Sequence, residues 1–221
     1  MNASAPICGP TVSTFLCAAA LLLVYGCAQK PSKPAKDWPT DSNAADSRAA
    51  AEKALAAYRT LKGLPDDPDS ARLGQPFDEV WLRLDALQAA APDAPLKTIK
   101  TAGDGRVIYP VLLGAGGTDG IVVHKVGGAW KPAIIGGDFL GPRLAQLRDN
   151  PDVAPAAAKA YALSVPALNA NFLAYERQGK ARLIPVLDYP QFKLKGGEPI
   201  DADLVTPRLI AAAKQHDGQP G

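Results

Sequence analysis

The sequence has little cysteine, and what it has lies at one end. Its three cysteines are Cys8, Cys17 and Cys27, and everything after Cys27 is free of thiols. That absence excludes disulfides, thiolate nucleophiles and thiolate metal ligands from the part of the chain long enough to fold. It also sets Cys27 apart, because a cysteine at this position has no partner in the body of the protein.

Histidine and serine motifs are just as scarce. His124 lies in an apolar segment and His216 in a polar tail, so no two histidines share a helix face as a zinc site requires. Ser70 and Ser164 stand outside the Gly-x-Ser-x-Gly pattern of hydrolases. From the sequence we therefore expect no metal, no cofactor and no assignable catalytic residue.

The chain also lacks a large excess of positive or negative charge. The chain has 24 Lys and Arg against 22 Asp and Glu, a net charge of +2, and aromatic residues make up only 6% of it. Nucleic-acid binding normally needs a basic cluster with aromatics among the basic residues. The sequence therefore predicts no nucleic-acid partner.

An apolar segment, residues 12–25, is present near the start. It contains no charged residue, and none occurs anywhere before Lys30. Its length suits the hydrophobic region of a signal peptide and falls short of the roughly 20 residues that a membrane-spanning helix needs. This pattern predicts a targeting segment.

The end of that segment, Val24-Tyr25-Gly26-Cys27, resembles the lipobox of bacterial lipoproteins. The resemblance implies cleavage between Gly26 and Cys27 and attachment of lipid to the Cys27 thiol, with the outer membrane as destination because Ala28, not aspartate, follows. Two alternatives stay open, an uncleaved anchor and a signal peptide cut elsewhere. They arise because no Lys or Arg precedes the apolar segment and because Tyr25 is bulky.

The domain plan follows from composition. We expect a signal peptide at 1–26, the lipidated cysteine with a tether at 27–43, one α+β domain at 44–215 and a flexible tail at 216–221. Proline and lysine dominate the tether, a composition that stays extended and solvated.

Periodicity within the domain predicts both helices and strands. Helices are expected at 44–62, 76–90 and 140–148, in the alanine-rich stretch 155–162, and at the end of the domain near Gln215. Three strands, at 106–113, 121–126 and 130–135, form a predicted antiparallel meander. A second hairpin, within 170–187, is expected to turn at Gln178-Gly179.

Two parts of this pattern look alike. Each has a strand, a glycine turn, a second strand and then a helix with Pro-Arg-Leu near its start, Pro142-Arg143-Leu144 in one case and Pro207-Arg208-Leu209 in the other. Two β-β-α units would form one antiparallel sheet with helices packed on one face, preceded by two N-terminal helices. Chance similarity between two common units is the alternative.

A candidate contact surface lies in the loop that follows the second hairpin. Its aromatic residues Tyr189 and Phe192 stand among Lys193 and Lys195. Exposed aromatic side chains in such a loop suit a protein–protein contact, although an ordinary long loop has the same composition.

These features favour a membrane-anchored periplasmic lipoprotein that acts as a non-catalytic binding or assembly module of the bacterial envelope. Its expected partners are the membrane, through the lipid, and an envelope protein. The alternative is an envelope hydrolase that uses carboxylates, with Asp119, Asp138 and Asp188 as the residues to test.

Overall fold

Strands and helices are described here for residues 43–99 and 101–216 of a computed structural model. The predicted signal peptide, Cys27, nearly all of the tether and the tail beyond His216 lie outside these residues. The helices are α1 (Ala44–Lys62), α2 (Leu84–Ala89), α3 (Leu140–Arg148) and α4 (Ala202–Gln215). The strands are β1 (Ala71–Leu73), β2 (Phe77–Leu82), β3 (Thr101–Leu113), β4 (Thr118–Val126), β5 (Ala129–Ile135), β6 (Tyr161–Val165), β7 (Ala170–Arg177), β8 (Lys180–Pro185) and β9 (Ile200–Asp201).

These strands join in one sheet, so the predicted α+β class is confirmed. Its order is β5-β4-β3-β2-β6-β7-β8-β9, and β1 pairs with the far end of β3. Neighbouring strands are antiparallel except β2 and β6, which are parallel. That parallel pair joins the meander β3–β5 to the second set of strands, β6–β9.

Helices cover both faces of the sheet. Along β3, Val107 and Tyr109 pack in one cluster with α1, whereas Ile108 between them packs in another with α3. In β7, Phe172 packs with α4 and Leu173 with α3. Alternate residues of a strand point to opposite faces. We therefore distinguish an α1 face, which α2 and α4 also cover, from an α3 face, and the expectation that all helices lie on one face is wrong.

Several elements lie where their local chemistry places them. The predicted helix 44–62 is α1, and Gly63 closes it in the left-handed conformation with φ 64°. The predicted meander is β3–β5, whose tight turn uses Gly127 and Gly128 at positive φ. The second hairpin turns at Gln178-Gly179 as expected, between β7 and β8.

The predicted helix at 76–90 is wrong. Its first half is strand β2, held between β3 and β6, and only Leu84–Ala89 is helical. Phe77 is buried on the α3 face of the sheet, and Val80 and Leu82 are buried on the α1 face. A short apolar run fits the helical and the strand period about equally, and pairing with two neighbouring strands decides between them.

Two further boundaries differ from expectation. The alanine-rich stretch forms a short 3-10 helix, Ala154–Lys159, and the chain then becomes extended for β6. The last helix, α4, begins at Ala202, five residues before Pro207, so its Pro-Arg-Leu lies in the middle of the helix and not near its start. Thr206 therefore lies inside the helix, where its hydroxyl donates to the Ala202 carbonyl at 2.7 Å.

Candidate binding groove

A groove of about 850 Å³ runs along the exposed flank of α3. Its other wall is the end of the β3–β4 hairpin on the α3 face. Pro110 and Leu112 lie there because they continue the alternation that points Ile108 to α3. The lining is mainly carbon, from Pro110, Leu112, Phe139, Pro142, Ala145 and Leu187.

The position of α3 is fixed by its buried side and its first turn. Leu140, Leu144 and Leu147 pack on the sheet, which leaves the flank with Pro142 towards the groove. Asp138 accepts the backbone N–H groups of Leu140 at 3.3 Å and Gly141 at 2.8 Å. Such a carboxylate satisfies donors that the helix itself leaves unpaired.

Close packing reinforces that first turn. A Cβ atom built on Gly120 of β4 would lie 2.5 Å from Oδ2 of Asp138. A side chain at this position would therefore displace the carboxylate that caps α3. Burial, with a smaller effect from Glu79, raises the pKa of Asp138 above its usual value.

Two arginines tie α3 to the segments on either side of the groove. Arg143 Nε donates to the Val186 carbonyl at 3.1 Å. Arg148 donates to the carbonyls of Gln75 and Pro76, each at 2.8 Å, and its guanidinium carbon lies 3.5 Å from the ring centre of Phe77. Burial lowers the pKa of Arg148 to about 10. These contacts fix α3 relative to the segments that form the groove walls.

Exposed apolar side chains stand in the lining. Phe139 is 56% exposed and Leu187 is 47% exposed, and both line the groove. Large exposed apolar residues that gather beside a concave surface are typical of interaction sites. Sequence reasoning missed this site, because its lining comes from four separate stretches of the chain.

A buried polar cluster lies elsewhere on the α3 face. Ser164 Oγ donates to Oε1 of Glu79 at 2.9 Å, and Arg106 Nε donates to Oε2 at 2.7 Å. The guanidinium of Arg106 lies 5.2 Å from the ring centre of Trp81. Both carboxylate oxygens thus have a hydrogen-bond partner, and the cluster ties β2, β3 and β6 together.

No family model, curated protein or solved structure matches this chain. Its function is therefore argued from the residues that the fold brings together. Within the two described segments, no three His, Cys, Asp or Glu side chains group closely enough to hold a metal ion. The same segments contain no helix with the length and hydrophobicity to cross a membrane.

The aromatic half of the predicted contact surface is wrong. Tyr189 and Phe192 are each only 4% exposed. The Tyr189 ring lies between Phe172 and Phe192, with ring centres 5.7 and 6.2 Å away, and its hydroxyl binds the backbone of Asn171. Burial raises the pKa of Tyr189. These aromatics belong to the core, which a single sequence cannot distinguish from an exposed aromatic loop.

The basic half of that surface is exposed. Lys193 stands at the left-handed end of a short turn, with φ 54°, and Lys195 pairs with Glu198 at 2.6 Å. Nothing in their geometry links them to the groove. A partner contact at these lysines therefore stays a prediction.

The three carboxylates that the hydrolase alternative would use each accept hydrogen bonds from different groups. Asp119 accepts the Tyr58 hydroxyl at 3.0 Å on the α1 face, whereas Asp138 caps α3 on the other face. Asp188 accepts the Gly196 N–H at 2.7 Å within its own loop. Each of these three carboxylates therefore has a structural role of its own in the turn or helix end that it binds. His124 stands opposite Arg106 in the β3–β4 ladder and is half-buried.

Proposed function

We propose that this protein is a lipid-anchored binding module of the bacterial envelope and that the groove along α3 is its binding site. The observation that carries the proposal is an apolar groove with Phe139 and Leu187 exposed in its lining. Apolar clefts of roughly 300–1,000 Å³ are the usual form of small-molecule and cofactor sites. The groove falls within that size.

The anchor is supported by the lipobox-like Val24-Tyr25-Gly26-Cys27 and by the tether that follows it. Fully extended, residues 28–42 span up to about 50 Å. A tether of that length allows a lipidated Cys27 to remain in a bilayer while the groove binds its ligand in the periplasm. We propose the outer membrane as the site of attachment, because Ala28 follows the cysteine.

A non-catalytic role is supported by the way the acidic residues are used. Asp138 and Asp188 accept backbone N–H groups, and Asp119 accepts both a hydroxyl and the N–H of Gly137. Such carboxylates stabilise turns and helix ends. No arrangement of them favours the hydrolase alternative over binding.

We also propose that the scaffold contains two β-β-α units, β4-β5-α3 and β7-β8-α4. Each helix carries Pro-Arg-Leu, and each of these arginines donates to a backbone carbonyl, Arg143 to Val186 and Arg208 to Phe192. The two helices lie on opposite faces of the sheet, so the units would be alike in order and in this contact but not in packing.

In-cell crosslinking from the groove tests the proposed function. A photoreactive amino acid is placed at position 139 or 187, and at 61 or 204 as matched controls. Leu61 and Leu204 are exposed apolar residues outside the groove, at 71% and 59%. We expect a discrete adduct from the two groove positions and none from the controls. Equal adducts at all four positions, or none at the groove, would contradict the proposal.

A further inference from the structure

The lining of the groove is suited to one kind of ligand. We propose that it binds a long-chain carboxylate, a fatty acid, with the hydrocarbon against the apolar wall and the carboxylate at Arg143. This inference rests on the proposed binding role of the groove. It adds the chemical class of the ligand.

The apolar wall favours hydrocarbon over peptide. Pro110, Leu112 and Pro142 offer no side-chain hydrogen-bonding group, and the Pro110 carbonyl is already used by the N–H of Gly74 at 2.7 Å. An extended peptide laid here would leave its own backbone groups unpaired against carbon, which is costly. An acyl chain has no such groups and gains from each methylene removed from water.

The two arginines in the groove lining favour an anionic head group on the ligand. Arg143 and Arg148 line the groove, and within the described residues neither forms an ion pair with a carboxylate. Arg148 is committed to two backbone carbonyls. Arg143 uses Nε for Val186 and Nη1 for Gln146, and its Nη2 has no bonding partner in the described structure. Arg143 is therefore the donor available to a ligand.

One acidic residue also lines the groove. Asp149 follows the end of α3, six residues beyond Arg143 and so about 9 Å further along the helix axis. Arg148 lies next to Asp149 and offsets its charge, so among the lining residues Arg143 is the cation without a neighbouring carboxylate. An anionic head group at Arg143, with the chain leading away from it, fits this distribution of charge. A guanidinium also pairs especially well with a planar carboxylate.

Titration with a series of carboxylates tests the inference. The intact chain is used with Cys27→Ser, so that its own proposed acyl groups do not compete, and each ligand is kept below its micelle concentration. Decanoate, dodecanoate and tetradecanoate are measured by calorimetry. We expect one site and an affinity that rises roughly fourfold per methylene, about fifteenfold for each step of two. No saturable binding, or an affinity independent of chain length, would overturn the inference.

Variants separate the wall from the head-group site. Phe139→Asp and Leu187→Asp should weaken dodecanoate binding at least tenfold, while Leu61→Asp and Leu204→Asp leave it unchanged. Since all four side chains are exposed, folding should survive, and a thermal melt checks this. Equal weakening by the control variants would overturn the inference.

The role of Arg143 is tested by comparing acid with alcohol. Dodecanoate should bind the unmodified groove about tenfold more tightly than dodecanol, Arg143→Gln should abolish that preference, and Arg143→Lys should restore part of it. A preference that survives Arg143→Gln would overturn the assignment of the head group.

Failure of this inference is distinguishable from failure of the proposed function. If groove positions crosslink specifically in cells but no carboxylate binds, the module stands and its ligand is of another class, such as an amphipathic helix of a partner. If carboxylates bind but Cys27 takes up no lipid, the ligand assignment stands and the anchor does not.

Discussion

Ser164 and Glu79 lie 85 residues apart in the sequence and meet inside the fold, where Ser164 Oγ donates to Oε1 of Glu79 at 2.9 Å. The parallel register of β2 and β6 makes this contact, because Val80 is paired with Leu163 and the flanking side chains share a face. Arg106 completes the charge balance at 2.7 Å. Among the described residues, Ser164 and Arg106 are the partners that stabilise this buried carboxylate.

Removing one partner of this cluster should destabilise the protein. Arg106→Ala leaves Glu79 without its cation, and we expect a loss of about 3 kcal/mol in the free energy of unfolding. The matched control is Lys97→Ala, whose partner Glu176 is 59% exposed. There we expect less than about 1 kcal/mol. Urea unfolding of both variants measures the difference, and equal losses would show that Glu79 is well solvated.

The tie between α3 and the β1–β2 connection gives a second prediction. Arg148→Ala removes two hydrogen bonds from a charged donor and the contact with Phe77, and should cost about 2–4 kcal/mol. Arg83→Ala is the control, because Arg83 is 63% exposed and pairs with Asp85 at the surface. A loss from Arg148→Ala no larger than that from Arg83→Ala would contradict the role given to Arg148.

The corrected position of Tyr189 is also testable. Tyr189→Phe keeps the ring but removes a hydroxyl that accepts the N–H of Asn171 at 2.7 Å and donates to its carbonyl at 3.1 Å. We expect a loss of about 1–3 kcal/mol. Lys193→Ala, at an exposed position of the same loop, should change stability by under about 0.5 kcal/mol. If instead Tyr189→Phe is neutral, the ring is not held as described.

Tyr58 predicts a change in stability at alkaline pH. Burial, followed by the hydrogen bond to Asp119, raises the pKa of Tyr58 from 10.0 to about 12. The folded protein therefore keeps a proton that the unfolded chain loses, so the stabilisation is complete below pH 10 and is lost as pH rises towards 12. The loss of stability between pH 9 and 11.5 should be smaller in Tyr58→Phe than in the unmodified protein. Parallel curves would contradict the raised pKa.

Local chemistry was enough to predict the elements that end in a specific turn. Gly63 closes α1 at positive φ, and Gly127 with Gly128 turns the first hairpin. Strand β2 was missed because its apolar residues fit two periods, and only its neighbours β3 and β6 make it a strand. Local sequence holds no information about such partners.

The groove could not be predicted for a related reason. Pro110, Phe139 and Leu187 come from three separate parts of the chain, and each is unremarkable in its own surroundings. Tyr189 shows the converse case. Its segment has the composition of an exposed loop, but the fold places its aromatic side chains in the core. Exposure of an aromatic depends on what covers it.

Anchoring through Cys27 is the part of the proposal on which location depends, and labelling tests it most directly. Cells that produce the protein are grown with radiolabelled palmitate, and the label is compared in the unmodified chain, in Cys27→Ser and in Cys17→Ser as the matched control. We predict label in the unmodified chain and in Cys17→Ser, and none in Cys27→Ser. Label that persists in Cys27→Ser, or that is absent from the unmodified chain, would contradict a lipid-anchored module.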